Sequence, residues 1–219
     1  MMKLVKGPHE ILEIYDLEGT FLGTETRSNF YAEIENEFAK TGKITKKVKS
    51  IRVMLMSSDG RLYLQKRSKL KVHNSGLYDK TAGGHFMCGH TWEMTVVREM
   101  VEELGIPSVV LPAQHFAEAV KTTDLSIIGI FKEIDYDPHF ISIRTTTGKP
   151  IEQPFMTMFY FGYYDGFIRF HDGEASGIEV YSLEELEPEI KAHPERYTRD
   201  LQHMIEKYRK FLVPINRVS

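Results

Sequence analysis

The chain has few of the features that mark secreted, membrane or disulfide-rich proteins. Only one of its 219 residues is a cysteine, Cys88, which excludes an internal disulfide and a cysteine-rich zinc site. The first residues, MMKLVKGPHEILEIYD, lack the apolar core of a signal peptide, and no apolar run approaches the length of a membrane span. We therefore expect a cytoplasmic protein that makes no use of a membrane.

An excess of positive charge is also missing. The formal net charge is −3 and the isoelectric point is near 6.3, and there is no basic tract of the kind that neutralises nucleic-acid phosphates. Nucleic acid is therefore not an expected partner. With 42% hydrophobic and 27% charged residues, the composition is that of an ordinary soluble globular protein.

Periodicity and turn residues predict strands around a few helices. The predicted strands are a hairpin over 10–24 and segments 50–57, 61–67, 77–79, 108–118, 126–136, 154–164, 168–170 and 178–181. The predicted helices are 27–40, 90–104, one opened by a capping box at Ser182, and a last helix from Pro194 to about Leu212. The polar segment 137–153 is a hairpin or a long loop. Because strands and helices do not alternate regularly, the fold class is α+β.

We divide the chain into three parts that form one compact unit. Residues 1–48 are an N-terminal extension, made of a hairpin and a helix, that packs on the core. Residues 49–192 form the central domain, and residues 193–219 form a C-terminal helix. The terminal helices could pack on the core or on a second subunit, so a homodimer stays open.

The central helix carries an unusual concentration of acidic residues. Glu99, Glu102 and Glu103 stand at i, i+3 and i+4 and share one helix face. Three like charges within one turn repel by roughly a few tenths of a kcal/mol per pair, so the arrangement favours a divalent cation over that face. Oxygen ligands suit Mg²⁺ or Mn²⁺. The alternative is a solvated acidic face.

The sequence around this helix resembles the Nudix box. Gly84 is followed by the run Arg98-Glu99-Met100-Val101-Glu102-Glu103-Leu104-Gly105-Ile106 at the spacing of that motif. One position departs, because His90 stands where the box usually has glutamate. The resemblance implies an α/β/α sandwich with a mixed sheet and a metal-dependent hydrolase that acts on phosphoric anhydride bonds.

The resemblance also implies roles for the residues of the box. It makes Glu99, Glu102 and Glu103 metal ligands together with Gly83, and it gives Glu102 and Glu103 catalytic roles. Arg98 would hold the acidic side chains in position, with a surface ion pair as the alternative. Gly83 and its neighbour would let the backbone approach the metal, or they would form a plain tight turn.

Further candidates lie outside the box. Glu174 resembles the late glutamate that many Nudix enzymes use as a metal ligand or general base, with Glu179 in reserve. Lys66 and Arg67 resemble the basic residues that face the diphosphate. Because adjacent strand residues point to opposite sides, at most one of the two points inward, and we choose Arg67.

A looser resemblance links residues 10–110 to the Nudix branch that includes isopentenyl-diphosphate isomerase. It rests on the segments EIYDLEGTFLGTETR, LYLQKRSKLK and GLYDKTAGGH. The histidine of that branch is present as His85, but Gly83 stands in place of its catalytic cysteine and Val48 near its second metal histidine. His85 is a candidate substrate-binding residue, with a structural role or a zinc site shared with His90 as alternatives.

Taken together, the sequence predicts a Mg²⁺-dependent Nudix pyrophosphohydrolase. It would cleave a diphosphate bond in a small organic or nucleoside diphosphate. An isomerase-like enzyme is one alternative, although glycine at position 83 offers no acid–base group. A non-catalytic ligand-binding module, suggested by His90, is the other.

Overall fold

The structure is a computed structural model that describes residues 10–145, 150–169 and 175–215. Its strands are β1 (Ile11–Asp16), β2 (Phe21–Thr26), β3 (Lys46–Met56), β4 (Leu62–Arg67), β5 (Tyr78–Asp79), β6 (Ala82–His85), β7 (Ser108–Val110), β8 (Gly129–Arg144), β9 (Ile151–Tyr163) and β10 (Ala175–Tyr181). Its α-helices are α1 (Arg27–Thr41), α2 (Trp92–Leu104), α3 (Ala113–Thr122), α4 (Leu183–Ala192) and α5 (Arg199–Tyr208).

All the described strands belong to one mixed sheet. The main path runs β10-β4-β3-β9-β8-β7. The pairs β3–β9 and β7–β8 are parallel, and the other pairs are antiparallel. The hairpin β1–β2 joins the sheet through β3, and β6 also pairs with β3. Strand β3 therefore connects the N-terminal hairpin, the parallel centre and the segment that precedes α2.

The long strand β3 sends side chains into two separate cores. Ile51, Val53 and Leu55 belong to a cluster with the apolar face of α2, while Met54 and Met56 belong to the cluster that contains the other four helices. Successive side chains of a strand point to opposite faces, so helices cover the sheet on both sides. The predicted α+β class and the α/β/α sandwich are confirmed.

Two predicted elements were wrong in kind or extent. The segment 108–118 is strand only at Ser108–Val110, and helix α3 follows Pro112. Tertiary packing explains the helix, because Phe116 and Val120 stand one turn apart and both enter the larger core. Residues 168 and 169 are not in a strand, and residue 170 lies outside the described residues.

The C-terminal helix is also broken, contrary to the prediction. A 3₁₀ turn at Pro194–Arg196 is followed by extended Tyr197, and α5 starts anew after Thr198. The Thr198 side chain accepts a hydrogen bond from the backbone N–H of Leu201 at 3.2 Å, which caps the second helix. This break brings the first turn of α5, with Asp200, against the sheet.

The described ends of the polar segment 137–153 are paired strands rather than a long loop. Strand β8 continues to Arg144, which pairs with Ile151 of β9, and two bulges interrupt the ladder. Such bulges absorb irregular residues and increase twist. In the part of the chain that the structure describes, no helix has the length and apolarity that a membrane crossing requires.

Candidate functional site

Helix α2 carries the acidic face that the sequence predicts. Thr91 caps its start by accepting from the backbone N–H of Met94, and Gly105 ends it in the left-handed conformation with φ 66°. Two of the glutamates are almost wholly buried, Glu99 at 1% and Glu103 at 2% exposure. The third, Glu102, has a side chain that is 25% exposed. A solvated face would not bury its carboxylates in this way.

Arg98 holds several groups together at the base of this face. Its Nη2 donates to Glu99 Oε1 at 2.7 Å and to the backbone carbonyl of His85 at 3.1 Å. Its Nη1 donates to Glu102 at 3.3 Å and lies 3.6 Å from Glu10. A guanidinium that bridges two carboxylates and a strand carbonyl has the geometry that an orienting role requires.

The glycine pair lies in a strand and not in the tight turn that was the alternative. Gly83 and Gly84 belong to β6, where they pair with Arg52 and Ile51 of β3. A Cβ at position 84 would overlap the Glu99 carboxylate. Only glycine allows the box helix to approach the strand this closely.

The loop between β6 and α2 is braced by the main chain of its neighbours. The Cys88 N–H donates to the carbonyl of Ile11 at 2.9 Å, and the Phe86 N–H donates to that of Lys49 at 3.1 Å. His90 donates its N–H to Met87 at 3.0 Å within the same loop. These bonds to β1 and β3 give the loop a support that needs no glutamate at position 90.

A cavity of about 460 Å³ opens beside Gly83 and Gly84. Among its described lining residues, six are basic and four are acidic. The basic residues are Arg27, Arg52, Arg67, Lys71, Lys80 and Arg144, and the acidic ones are Glu35, Asp79, Glu99 and Asp200. The excess of two positive charges contrasts with the net charge of −3 of the whole chain. The cavity is therefore suited to an anion.

The inner end of the cavity holds a buried network of ion pairs. Arg52 Nε donates to Asp200 Oδ2 at 2.8 Å. Lys80 Nζ lies 3.1 Å from Asp79 and 3.6 Å from Asp200. Arg67 Nη1 donates to Asp79 Oδ2 at 3.2 Å. Each carboxylate thus contacts two cations, and the network ties β3, β4 and β5 to α5.

The surroundings of Asp79 strongly favour the ionised form of its carboxyl group. Burial alone raises the pKa of its carboxyl, but the charges of Lys80 and Arg67 and a hydrogen bond from Thr198 outweigh burial and lower the pKa to about 2. The Thr198 hydroxyl donates to Asp79 Oδ1 at 2.7 Å. The break before α5 is what places Thr198 there.

Tyr31, from helix α1 of the N-terminal extension, lies at the outer part of the cavity. Its hydroxyl accepts from Arg144 at 2.7 Å and from Gln153 at 3.3 Å, and it is hydrogen-bonded to His85 Nε2 at 2.6 Å. With both donors directed at the oxygen, the hydroxyl hydrogen points to His85. His85 Nε2 therefore accepts, and this bond occupies one of the two ring nitrogens through which a histidine can bind zinc.

Of the candidate residues outside the box, the structure places some at the cavity and others away from it. Arg67 lines the cavity, whereas Lys66 donates to the Tyr78 hydroxyl at 3.0 Å and lies 3.8 Å from Glu179. Neither Lys66 nor Glu179 is a lining residue of that cavity. Glu174 lies outside the described residues. Val48, near the expected second histidine of the isomerase branch, is fully buried in the apolar core.

The most informative residues of the cavity were missed by sequence reasoning. These are Tyr31, Arg52, Asp79, Lys80 and Asp200. One signal was available, because Arg52 interrupts the apolar run SIRVMLM and a buried charge in a central strand requires a partner. The partner itself, Asp200, lies 148 residues further along the chain, and no local pattern identifies it.

The acidic face of α2 suits a hard divalent cation. Its donors are carboxylate oxygens, and they lie beside a strand that has no Cβ at Gly84. Within the described residues, no three His, Cys, Asp or Glu side chains converge into a ready-made metal cage. Mg²⁺ is usually held by one or two carboxylates together with water and substrate phosphates, so this donor set fits Mg²⁺ or Mn²⁺.

Comparison with known proteins identifies a family and a relative that match most of this chain. A family model described as NUDIX domain matches residues 46–201. A prenyl-diphosphate phosphatase from Methanosarcina mazei is 28% identical over 192 residues, which cover 88% of this chain and 91% of that protein.

Solved structures with a similar fold include two that align with most of this chain. The crystal structure of DR0079 from Deinococcus radiodurans superposes with a TM-score of 0.61 at 19% identity, over 90% of this chain and 98% of that one. A bifunctional NMN adenylyltransferase/ADP ribose pyrophosphatase from Francisella tularensis gives a TM-score of 0.50 at 17% identity, over 85% of this chain and 47% of that one. At these identities the likeness concerns the fold alone.

The close contact between α2 and β6 generates a stability prediction. We expect Gly84→Ala to lower the free energy of unfolding by about 1–3 kcal/mol, because the new methyl group overlaps the Glu99 carboxylate. Urea denaturation measures the change. Gly177→Ala is the matched control, since no atom lies within 4 Å of a Cβ built there. Equal stability of the two variants would contradict this account of the contact.

Asp79 generates a pH prediction. Its pKa of about 2 in the folded protein lies below the ordinary value of an aspartate carboxyl, so its ionised form stabilises the protein above about pH 4 and this contribution is lost as the pH falls towards 2. The contribution is about 2 kcal/mol. We expect Asp79→Asn to be less stable at pH 7 and to lose less stability between pH 4.5 and 2.5 than the wild type.

The measurement is the free energy of unfolding in urea at several pH values. Glu118→Gln, which removes an exposed carboxylate of α3, is the control and should keep the wild-type pH dependence. A parallel pH dependence in Asp79→Asn and the wild type would refute the role of Asp79.

Proposed function

This chain belongs to the NUDIX family, and we propose that it is a hydrolase that cleaves the phosphoric anhydride bond of a small diphosphate with the help of Mg²⁺ or Mn²⁺. The observation that carries the proposal is that the acidic face of α2 and the basic cavity meet at one residue. Glu99 of the acidic helix face is itself a lining residue of the cavity, together with six basic residues. A diphosphate requires both an acidic face for the cation and a basic surface for its own charge.

The acidic face supplies the ligands in this proposal. Glu99, Glu102 and Glu103, with the backbone carbonyl of Gly83, would hold the divalent cation. When bound, such a cation neutralises diphosphate charge and lowers the pKa of a water molecule. Arg98 keeps the carboxylates of Glu99 and Glu102 oriented through its hydrogen bonds at 2.7 and 3.3 Å. It acts as a positioning residue.

The reaction that this arrangement serves is a hydrolysis. The oxygen of a water molecule bonds to one phosphorus atom while the bridging P–O bond breaks, which leaves two phosphate products. Glu103 would take the proton from the water, with Glu174 as the second candidate for this role. Arg67 would stabilise the departing phosphate, since a guanidinium binds phosphate oxygens in pairs.

The names of two relatives and the lining of the cavity support a substrate class. The Methanosarcina relative is named for prenyl diphosphates, and the name of the Francisella protein includes ADP ribose. Tyr31 and Phe155 line the cavity and offer aromatic surface to an organic group. We propose organic diphosphates, with prenyl diphosphates first, as the substrates to test.

The test is a panel of diphosphates in which release of phosphate or of a monophosphate is measured with and without Mg²⁺. We expect turnover that depends on the metal. We expect Glu102→Gln and Glu103→Gln to reduce it by about 10²-fold or more, because each variant loses a charged oxygen ligand or the base. Glu118→Gln, on the exposed face of α3, should retain full activity.

Two outcomes would point to other functions. Absence of turnover over the whole panel, with unchanged ligand binding in Glu102→Gln, would indicate a non-catalytic binding module. Conversion of isopentenyl diphosphate to dimethylallyl diphosphate would indicate an isomerase, which we do not expect because Gly83 provides no acid–base side chain.

A further inference from the structure

The inner end of the cavity carries more positive than negative charge although it is buried. Arg52 is 7% exposed and Lys80 is 8% exposed. With Arg67, whose side chain is 21% exposed, they make three cations, against the two carboxylates of Asp79 and Asp200. Arg52 and Lys80 each have a carboxylate beside them, so the excess is one positive charge, which an anion in the cavity would neutralise.

The two buried cations retain hydrogen-bonding capacity. The Arg52 guanidinium has five N–H donors, and its bonds to described residues, to Asp200 and to the carbonyl of Ile51, use two of them. The ring of Phe155 lies 5.0 Å from its guanidinium carbon and keeps it in place. The Lys80 ammonium has three donors, and only Asp79 and Asp200 are its carboxylate neighbours among the described residues.

Gly83 is what allows the Lys80 side chain to occupy this position. A Cβ built at residue 83 would lie 2.8 Å from Lys80 Cε and 3.1 Å from the carbonyl oxygen of Ile51. Any side chain at 83 would therefore displace the lysine stem. The buried position of the Lys80 ammonium therefore depends on glycine at position 83.

We propose that Arg52 and Lys80 form a floor that binds the terminal, unesterified phosphate of the substrate, so that the enzyme acts on monosubstituted diphosphates and discriminates against diphosphates esterified at both ends. This inference rests on the proposed function, because it takes the cavity as the substrate site. A terminal phosphate has three free oxygens and up to two charges, which match the remaining donors. A second ester group would have to enter among buried charges, where it offers nothing to pair with them.

The organic group of the substrate then points outward. The outer part of the cavity is formed by Tyr31 of α1 and by the segment with Val72 and His73. Val72 is 79% exposed, so this part of the surface is open to solvent. Substituents of different length can therefore be accepted there without a change at the floor.

Binding of two matched probes tests the floor without any need for turnover. The probes are the monomethyl ester and the P,P′-dimethyl ester of methylenediphosphonate, whose carbon bridge resists hydrolysis. Calorimetry with Mg²⁺ present gives the affinity of each. We expect the wild type to bind the monoester about tenfold or more tightly, because charge-assisted hydrogen bonds to the terminal phosphate are lost in the diester.

Two variants remove the floor in different ways. Lys80→Gln deletes the ammonium, and Gly83→Ala keeps the lysine but moves its flexible end. We expect both to reduce the preference for the monoester to about twofold, with little change in diester affinity. The diester thus serves as an internal check that the cation site is intact. If Lys80→Gln does not fold, Gly83→Ala decides the question.

Lys47→Gln is the matched control. Lys47 is 1% exposed and thus even more buried than Lys80, but its ammonium donates to the carbonyls of Leu17 and Pro138 outside the cavity. The tenfold preference should therefore persist. Equal affinity of the wild type for both probes, or an unchanged preference in Gly83→Ala, would overturn the floor. Failure of the hydrolysis panel with the monoester preference retained would instead remove the proposed reaction and leave the floor in place.

Discussion

The close approach of helix α2 to strand β6 is the contact on which the rest of the site depends. Gly84 leaves room for the Glu99 carboxylate, and Arg98 joins that carboxylate to the backbone of His85 in the same strand. The contact buries Glu99 at the boundary of the cavity while the adjacent face of the helix, with Val96 and Met100, packs on the sheet. Without it, the acidic face and the basic cavity would be two unrelated surfaces.

The shape of the cavity also depends on a group of buried charged residues at its inner end. Arg52, Lys80, Asp79 and Asp200 are all less than one-tenth exposed, and each is paired, because unpaired charge is not tolerated in such a position. The pairs fasten α5 to the centre of the sheet at the cavity. The C-terminal segment is therefore part of the structure that shapes the site.

The N-terminal extension is part of the site rather than an addition to it. Glu10, directly before β1, pairs with Arg27 at 2.8 Å and with Arg98 at 3.6 Å, and Tyr31 reaches His85 and Arg144. The main chain of β1 also braces the loop that contains His90. This support explains physically how the loop keeps its conformation with histidine where the Nudix box usually has glutamate.

Local patterns in the sequence determined the fold class, most strands, and the acidic face of α2, because side chains three and four residues apart must share a helix face. They failed at 108–118 and at Pro194, where packing of Phe116 and capping by Thr198 outweighed local propensity. The sequence also indicated that at most one of Lys66 and Arg67 points inward, since strand neighbours point apart, and of the two it is Arg67 that lines the cavity. Only the tertiary structure could decide that Arg52 meets Asp200 and that Lys80 crosses over Gly83, because pairing of buried charges joins residues whose separation along the chain carries no information about their distance in space.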